Sequence, residues 1–180
     1  YKAAVAAAAL AAGAEMVNDV SALRADDGMV EVVAQAGCPV ILMHALWPPA
    51  TMQDEPEYVD VVDDVIEFLH RQAGWAQARG IKRDSILIDP GIGFGKTLEH
   101  NLDLMRSATQ VLIGGYAVVY GPSRKRFIGE LTGKAPGDRI MGTAAAVAVL
   151  AAQGVHMVRV HDVAAMRDVA RVVDGIVWDV

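Results

Sequence analysis

Short apolar runs alternate with helix-forming stretches five times along this chain of 180 residues, and no hairpin signal separates any two of the runs. The runs are residues 15–17, ending at Asn18 and Asp19; 39–43, ending at His44; 86–88, ending at Asp89; 116–120; and 155–160, ending at His161 and Asp162. Helical composition or periodicity fills residues 1–12, 29–35, 58–78, 98–111, 127–131, 138–153 and 164–177. Strands that succeed one another without hairpins must run parallel, with helices as the crossovers. Near-continuous apolar strands of this kind are covered on both faces. The fold class is therefore α/β.

The polar residues narrow the architecture further. Each run stops on side chains able to do chemistry: Asn18, His44, Asp89, Ser123 to Lys125, and Arg159 with His161. A (β/α)8 TIM barrel draws its functional residues from the C-terminal edges of many strands, whereas an open doubly wound sheet uses one or two switch points. A full barrel takes about 250 residues, so five βα units predict roughly the last five of eight, in an N-terminally incomplete domain spanning residues 1–180. A chain that opens inside an alanine-rich helix, closed by Gly13, without an initiator Met carries the same expectation of sequence upstream. Five strands of an eight-stranded barrel leave two parallel edges exposed, and the chain alone is expected not to turn over.

The densest stretch is ILIDPGIGFGKT, residues 86–97. An apolar strand ends on Asp89, Pro90 forbids further ladder donation, and Gly91, Gly93 and Gly95 lead to Lys96. Glycine lets backbone approach a ligand closely, and successive loop N–H groups make an anion-binding concavity. The plainer reading is a βα connection that needs glycine only for its turns. Neither familiar phosphate motif fits. Counting back from Gly95-Lys96-Thr97 puts Pro90 where the first glycine of G-x-x-x-x-G-K-[ST] belongs, and the third glycine falls one residue early for G-x-G-x-x-G.

Composition excludes some partners. Net charge is −6 and no basic stripe occurs, which argues against nucleic acid. No run approaches 18 apolar residues, so no membrane span is predicted. The single cysteine, Cys38, reads as a small buried hydrophobe in a reducing, cytoplasmic setting. The loop over 45–56, with Pro48, Pro49 and Pro56, has the length of a lid or binding loop.

Taken together, the strand-end residues suit a flat heterocycle bearing an anion. Asp89 and Asn18 can accept its ring N–H groups, Lys125 can reach a carbonyl or phosphate as a point charge, and Phe94 can cover an aromatic face. Arg159 and His161 alternate on one strand, point the same way, and suit a phosphate. Each has a plainer alternative. Asn18-Asp19 can be a turn cap; His44 a structural histidine, with His70, His100 and His156 structural or on the surface; Arg124 and Lys125 a solvated face. Arg159, in an apolar strand, is harder to explain that way, because a buried charge is costly unless paired.

The strings VNDVS, LMH, LIDPGIGFGK, GPSRKRFIGELTG and VRVHDV, in this order, resemble the dihydropteroate synthase family of folate biosynthesis. The resemblance implies a pterin-binding TIM barrel that condenses 6-hydroxymethyl-7,8-dihydropterin diphosphate with p-aminobenzoate and releases pyrophosphate. Carried over by position, it implies pterin contacts at Asn18, Met43, Asp89, Phe94 and Lys125, with Lys125 and Asp89 central to catalysis. It implies diphosphate contacts at Arg159 and His161, and places Ser123, Arg124 and Arg126 near where p-aminobenzoate and sulfonamides bind. Magnesium is the implied cofactor, its protein ligand lying in units that precede this chain, and a homodimer is implied near the alanine-rich helix over 143–152. Rival readings are a methyltransferase domain using a methylated pterin, a metal-dependent hydrolase built on His44, Asp89 and His161, and a truncated pterin-binding copy without turnover.

Overall fold

The computed structural model describes residues 1–46 and 56–178. The centre of the proline-rich loop, and with it the expectation of a lid, lies outside the described residues. Among the described residues the strands are β1 (Val17–Asp19), β2 (Val40–Met43), β3 (Ile86–Asp89), β4 (Ala117–Tyr120) and β5 (Met157–Val158). All neighbours are parallel, in the order β1-β2-β3-β4-β5. A doubly wound sheet reverses its strand order at a switch point; this one never reverses, as in a barrel.

The sheet is also curled. Neighbouring strands lie about 4.8 Å apart, so a flat sheet would separate the first and fifth by about 19 Å. Yet Arg159, one residue beyond β5, donates to Asn18 of β1 at 2.8 Å. The expected partial barrel is what the chain forms.

Parallel register assigns each residue a face. The outer face carries Val40, Leu42, Ile86, Ile88, Val118 and Tyr120, which join the main core with the surrounding helices. The inner face carries a smaller apolar cluster, Ile41, Leu87 and Val119 with Ala117. Asn18 is level with Ile41, and Met43 with Asp89. Val119 is level with Met157, which brings Gly121 and Arg159 to the same inner face two residues later.

The helices are α1 (Ala3–Ala11), α2 (Met29–Ala36), α3 (Val61–Gln77), α4 (Leu98–Arg106), α5 (Ala108–Leu112), α6 (Arg126–Thr132), α7 (Ile140–Ala152) and α8 (Val163–Val177). Two helical stretches and one strand depart from the sequence reading. Helix α3 starts at Val61 rather than 58, because the Asp60 side chain caps it by accepting from the Val62 and Asp63 N–H groups. The stretch 98–111 breaks at Ser107, which leaves helical geometry with φ −99° and ψ 23°. Strand β5 covers two residues instead of six, as an edge with one neighbour to pair with. Both ends of the chain are thinly packed: α1 buries no residue and α8 buries Met166.

Candidate functional site

Asp89 ends β3 on the inner face, fully buried. Its Oδ1 accepts from the Gly91 N–H at 2.8 Å, folding the carboxylate back over the turn that Pro90 begins. Gly91 has φ +71°, and a Cβ there would stand 1.8 Å from the His44 carbonyl oxygen. Glycine is therefore required at this position. The same close approach continues the β2–β3 ladder, with His44 N–H donating to Asp89 O at 2.9 Å.

The rest of the glycine loop is braced from within. Asn101 Oδ1 accepts from the Gly93 N–H at 2.7 Å, and the Tyr58 hydroxyl donates to Gly95 O at 2.8 Å. Lys96 does not tip the loop towards a ligand, as its position after three glycines suggested. Its ammonium is buried and turned inward, 2.9 Å from His44 Nδ1 and 3.0 Å from Phe94 O. Burial holds Lys96 down to about 7, the effect partly offset by Asp89. Burial, with Lys96 beside it, holds His44 down to about 3. His44 is thus the structural histidine of the plainer reading, packed edge-on against Phe68 at 4.9 Å.

Beside this loop, a cavity of about 310 Å³ is lined by Asn18, Val20, Phe94, Gly121, Ser123, Lys125, Arg159, Val160 and His161. Lys125 Nζ stands 4.1 Å over the Phe94 ring, a cation–π contact. Ser123 Oγ lies 2.9 Å from His161 Nδ1 and accepts from the His161 N–H at 3.2 Å, tying the end of β4 to the segment after β5. Arg159 Nη2 stands 3.1 Å from Asp89 Oδ2. The contact is an ion pair without hydrogen-bond alignment, so Oδ2 retains its accepting capacity. Burial pushes the Asp89 carboxyl above its usual range, while Arg159, the Gly91 N–H and Lys96 pull it down. Burial lowers Lys125, against the pull of Asp89. The result is a buried carboxylate under a mouth of cationic and imidazole groups.

The structure thus unites Asn18, Asp89, Phe94, Ser123, Lys125, Arg159 and His161. Met43 lies fully buried beneath them, level with Asp89. Arg124 and Arg126 lie outside this cavity. Arg124, with φ +57°, forks onto Asp162 at 2.7 and 3.2 Å, and Arg126 pairs with Glu130 one helical turn on. Neither guanidinium lines the cavity. Asp19 is a turn cap, accepting from Ser21 and Leu23 N–H groups at 3.1 and 2.7 Å. Tyr120 also proves structural: its hydroxyl donates to Leu104 O at 2.8 Å. Sequence reasoning missed Asn101 and Tyr58 as braces of the loop. Among the described residues no group of three or more His, Cys, Asp or Glu side chains is placed to hold a metal ion, so the metal-hydrolase reading finds no ligand set among them. No described helix is long and apolar enough to cross a membrane.

Comparison with known proteins accords with this geometry. The profile described as pterin binding enzyme matches residues 1–161. The dihydropteroate synthase of Synechocystis is 40% identical over 176 residues, covering 97% of this chain and 61% of the relative. The chain thus spans about three fifths of the length of the Synechocystis and Escherichia coli dihydropteroate synthases it matches. Among solved structures, the Yersinia pestis dihydropteroate synthase, in a sulfonamide drug complex, superposes with TM-score 0.93 at 34% identity, over 97% of this chain and 63% of that one. The Thermus thermophilus enzyme, solved with 4-aminobenzoate and with 6HMPPP, superposes with TM-score 0.91 at 42% identity, over 96% of this chain and 70% and 68% of those chains. On the match over residues 1–161, the chain belongs to the pterin binding enzyme family.

Proposed function

We propose that this chain carries the pterin- and diphosphate-binding rim of a dihydropteroate synthase, which joins 6-hydroxymethyl-7,8-dihydropterin diphosphate to p-aminobenzoate and releases pyrophosphate. The observation that carries this reading is Asp89, buried behind Arg159, which lines a cavity with Lys125 and His161, and having on Oδ2 an ion pair with Arg159 but no aligned hydrogen bond. A two-donor ring edge satisfies that oxygen together with Asn18 Oδ1. Lys125 reaches the ring carbonyl, Phe94 covers the ring, and Met43 closes the floor. Arg159 and His161 take the diphosphate, with Ser123 fixing the imidazole. Arg124 and Arg126 belong to the p-aminobenzoate side of this reading; Arg126 lines a second cavity beside the glycine loop, with Gly93, Lys96 and Asn101.

In the reaction, the bond from the pterin methylene carbon to the diphosphate oxygen breaks, and its electron pair leaves with pyrophosphate. The arylamine nitrogen attacks the carbon and then loses a proton. Arg159, His161 and Lys125 offset the charge on the leaving group. Asp89 anchors the ring on which positive charge develops. No side chain acts as nucleophile. Magnesium is the cofactor the family likeness implies; without a ligand cluster among the described residues, no step is derived from it. The solved relative bound to 4-aminobenzoate and 6HMPPP supports this pair of substrates. A cytoplasmic location accords with the unpaired Cys38. Homodimerisation belongs to the same reading, supported by an apolar groove of about 310 Å³ between α4, α6 and α7 that includes Met105, Phe127, Leu131 and Val149.

The test is formation of dihydropteroate from the two substrates by a complete eight-unit barrel carrying this sequence, and by the Lys125→Met variant of that barrel. The expected result is turnover that falls by at least roughly a hundredfold in the variant, the scale of losing one charged transition-state contact. Undiminished turnover in the variant would overturn the assignment.

A further inference from the structure

The guanidinium of Arg159 lies where a ligand belongs. Its Nη1 donates to Asn18 Oδ1 at 2.8 Å, and its Nη2 covers Asp89 Oδ2 at 3.1 Å. Gly121 makes the space, since a Cβ there would meet Nη2 at 2.8 Å. A guanidinium is a planar fork of N–H donors, and so is the edge of a 2-amino-pyrimidinone ring, with its ring N–H and exocyclic amino group. The two are rivals for one seat. The Arg159 side chain is 40% exposed, so solvent adjoins the seat and the stem can swing towards it. Lys125 and His161 line the same cavity, where an anion would also draw Arg159.

We propose that Arg159 occupies the recognition seat in the ligand-free protein and vacates it for a ligand's anionic group, so that the pocket selects a phosphorylated pterin over the bare ring. The inference rests on the pterin reading above. A bare pterin must unseat Arg159 and gives the displaced cation nothing in return. A pterin diphosphate offers its own phosphate oxygens, so ring recognition and anion recognition are linked through one side chain. A ligand that needs a minor conformer binds more weakly by the fraction of protein in that conformer.

The test compares affinities of 6-hydroxymethyl-7,8-dihydropterin and its diphosphate for the wild type and for Arg159→Lys. Lysine keeps a cation for the phosphate but cannot bridge two acceptors as a fork does. The bare pterin is expected to bind the variant about tenfold more tightly, and the diphosphate to change by less than about threefold. Gly121→Ala, which dislodges the guanidinium without changing charge, is expected to shift the bare pterin in the same direction. Bare pterin binding no more tightly to Arg159→Lys than to wild type would overturn the proposal. Binding of neither pterin to any of the proteins would instead defeat the pterin reading. The seat itself is then read without a pterin, from the Nη NMR signals of Arg159. Restrained signals that inorganic pyrophosphate releases are expected, and freely averaged signals in the ligand-free protein would overturn it.

Discussion

The two faces of the same sheet do different work. On the outer face Val40, Leu42, Ile86, Ile88, Val118 and Tyr120 lie in one core with the helices. On the inner face a small patch of Ile41, Leu87 and Val119 gives way at the C-terminal rim to Met43, Asp89, Gly121 and Arg159. Adjacent residues of one strand thus carry opposite loads: Ile88 holds the fold, and Asp89, next to it, lies on the inner face against Arg159. The alternation of a strand separates stability from chemistry at single-residue resolution. A buried carboxylate is a liability the outer face supports.

The sharpest break in that division is expected at Gly91, where the chemistry of the rim rests directly on β2. Gly91→Ala puts a Cβ 1.8 Å from a backbone oxygen at φ +71°, and its cost should exceed roughly 4 kcal/mol, in the exceptional range for one substitution. Gly37 also has a positive φ, +62°, but opens onto space. Gly37→Ala should therefore cost only about 1 kcal/mol. Equal urea-denaturation midpoints for the two variants would show that φ alone, and not the close approach, fixes Gly91.

On the outer face, Ile88→Ala should cost about 3 kcal/mol in denaturation, the usual range for a fully buried aliphatic. A loss below about 1 kcal/mol would mean that the outer layer is not the main core.

Beneath the loop, His44 tests the link between the two faces. Its folded pKa, about 3, lies below the ordinary 6.5, so the unfolded chain takes the proton first as pH falls. Stability is therefore intact above about 6.5 and is lost towards 3. At pH 5 the 1.5-unit gap amounts to about 2 kcal/mol. His44→Asn should lack this acid loss, as read from chemical denaturation between pH 7 and 4. Parallel pH profiles for the two proteins would contradict the burial of a neutral imidazole. The smallest effect expected is for Tyr120→Phe, about 1 kcal/mol for the lost hydrogen bond to Leu104 O.

Much of this was legible in the sequence, because it depends on local periodicity. Alternation of strand and helix gave the parallel curl, and a polar residue at the end of each apolar run marked the rim. Asn18, Asp89, Lys125, Arg159 and His161 meet because parallel register aligns strand ends, whatever the intervening helices do. What was not legible depends on partners distant in sequence. Lys96 reads as a loop tip until His44, 52 residues earlier, takes its ammonium. Arg124 shares a basic run with Lys125, and only Asp162, 38 residues on, shows which of the two enters the cavity. The apolar run over 155–160 pairs with β4 through Met157 and Val158 only, which local sequence does not record.

The claim that binding and folding lie on opposite faces is tested most directly by the affinity of dihydropterin diphosphate for the wild-type chain and for Asp89→Asn, measured beside their thermal stabilities. Asparagine is isosteric and removes a charge that burial disfavours, so stability should change by less than about 1 kcal/mol. Affinity should fall by at least roughly a hundredfold, because a carboxylate that accepts ring N–H groups becomes an amide. Undiminished affinity, or unfolding of the variant, would contradict the account.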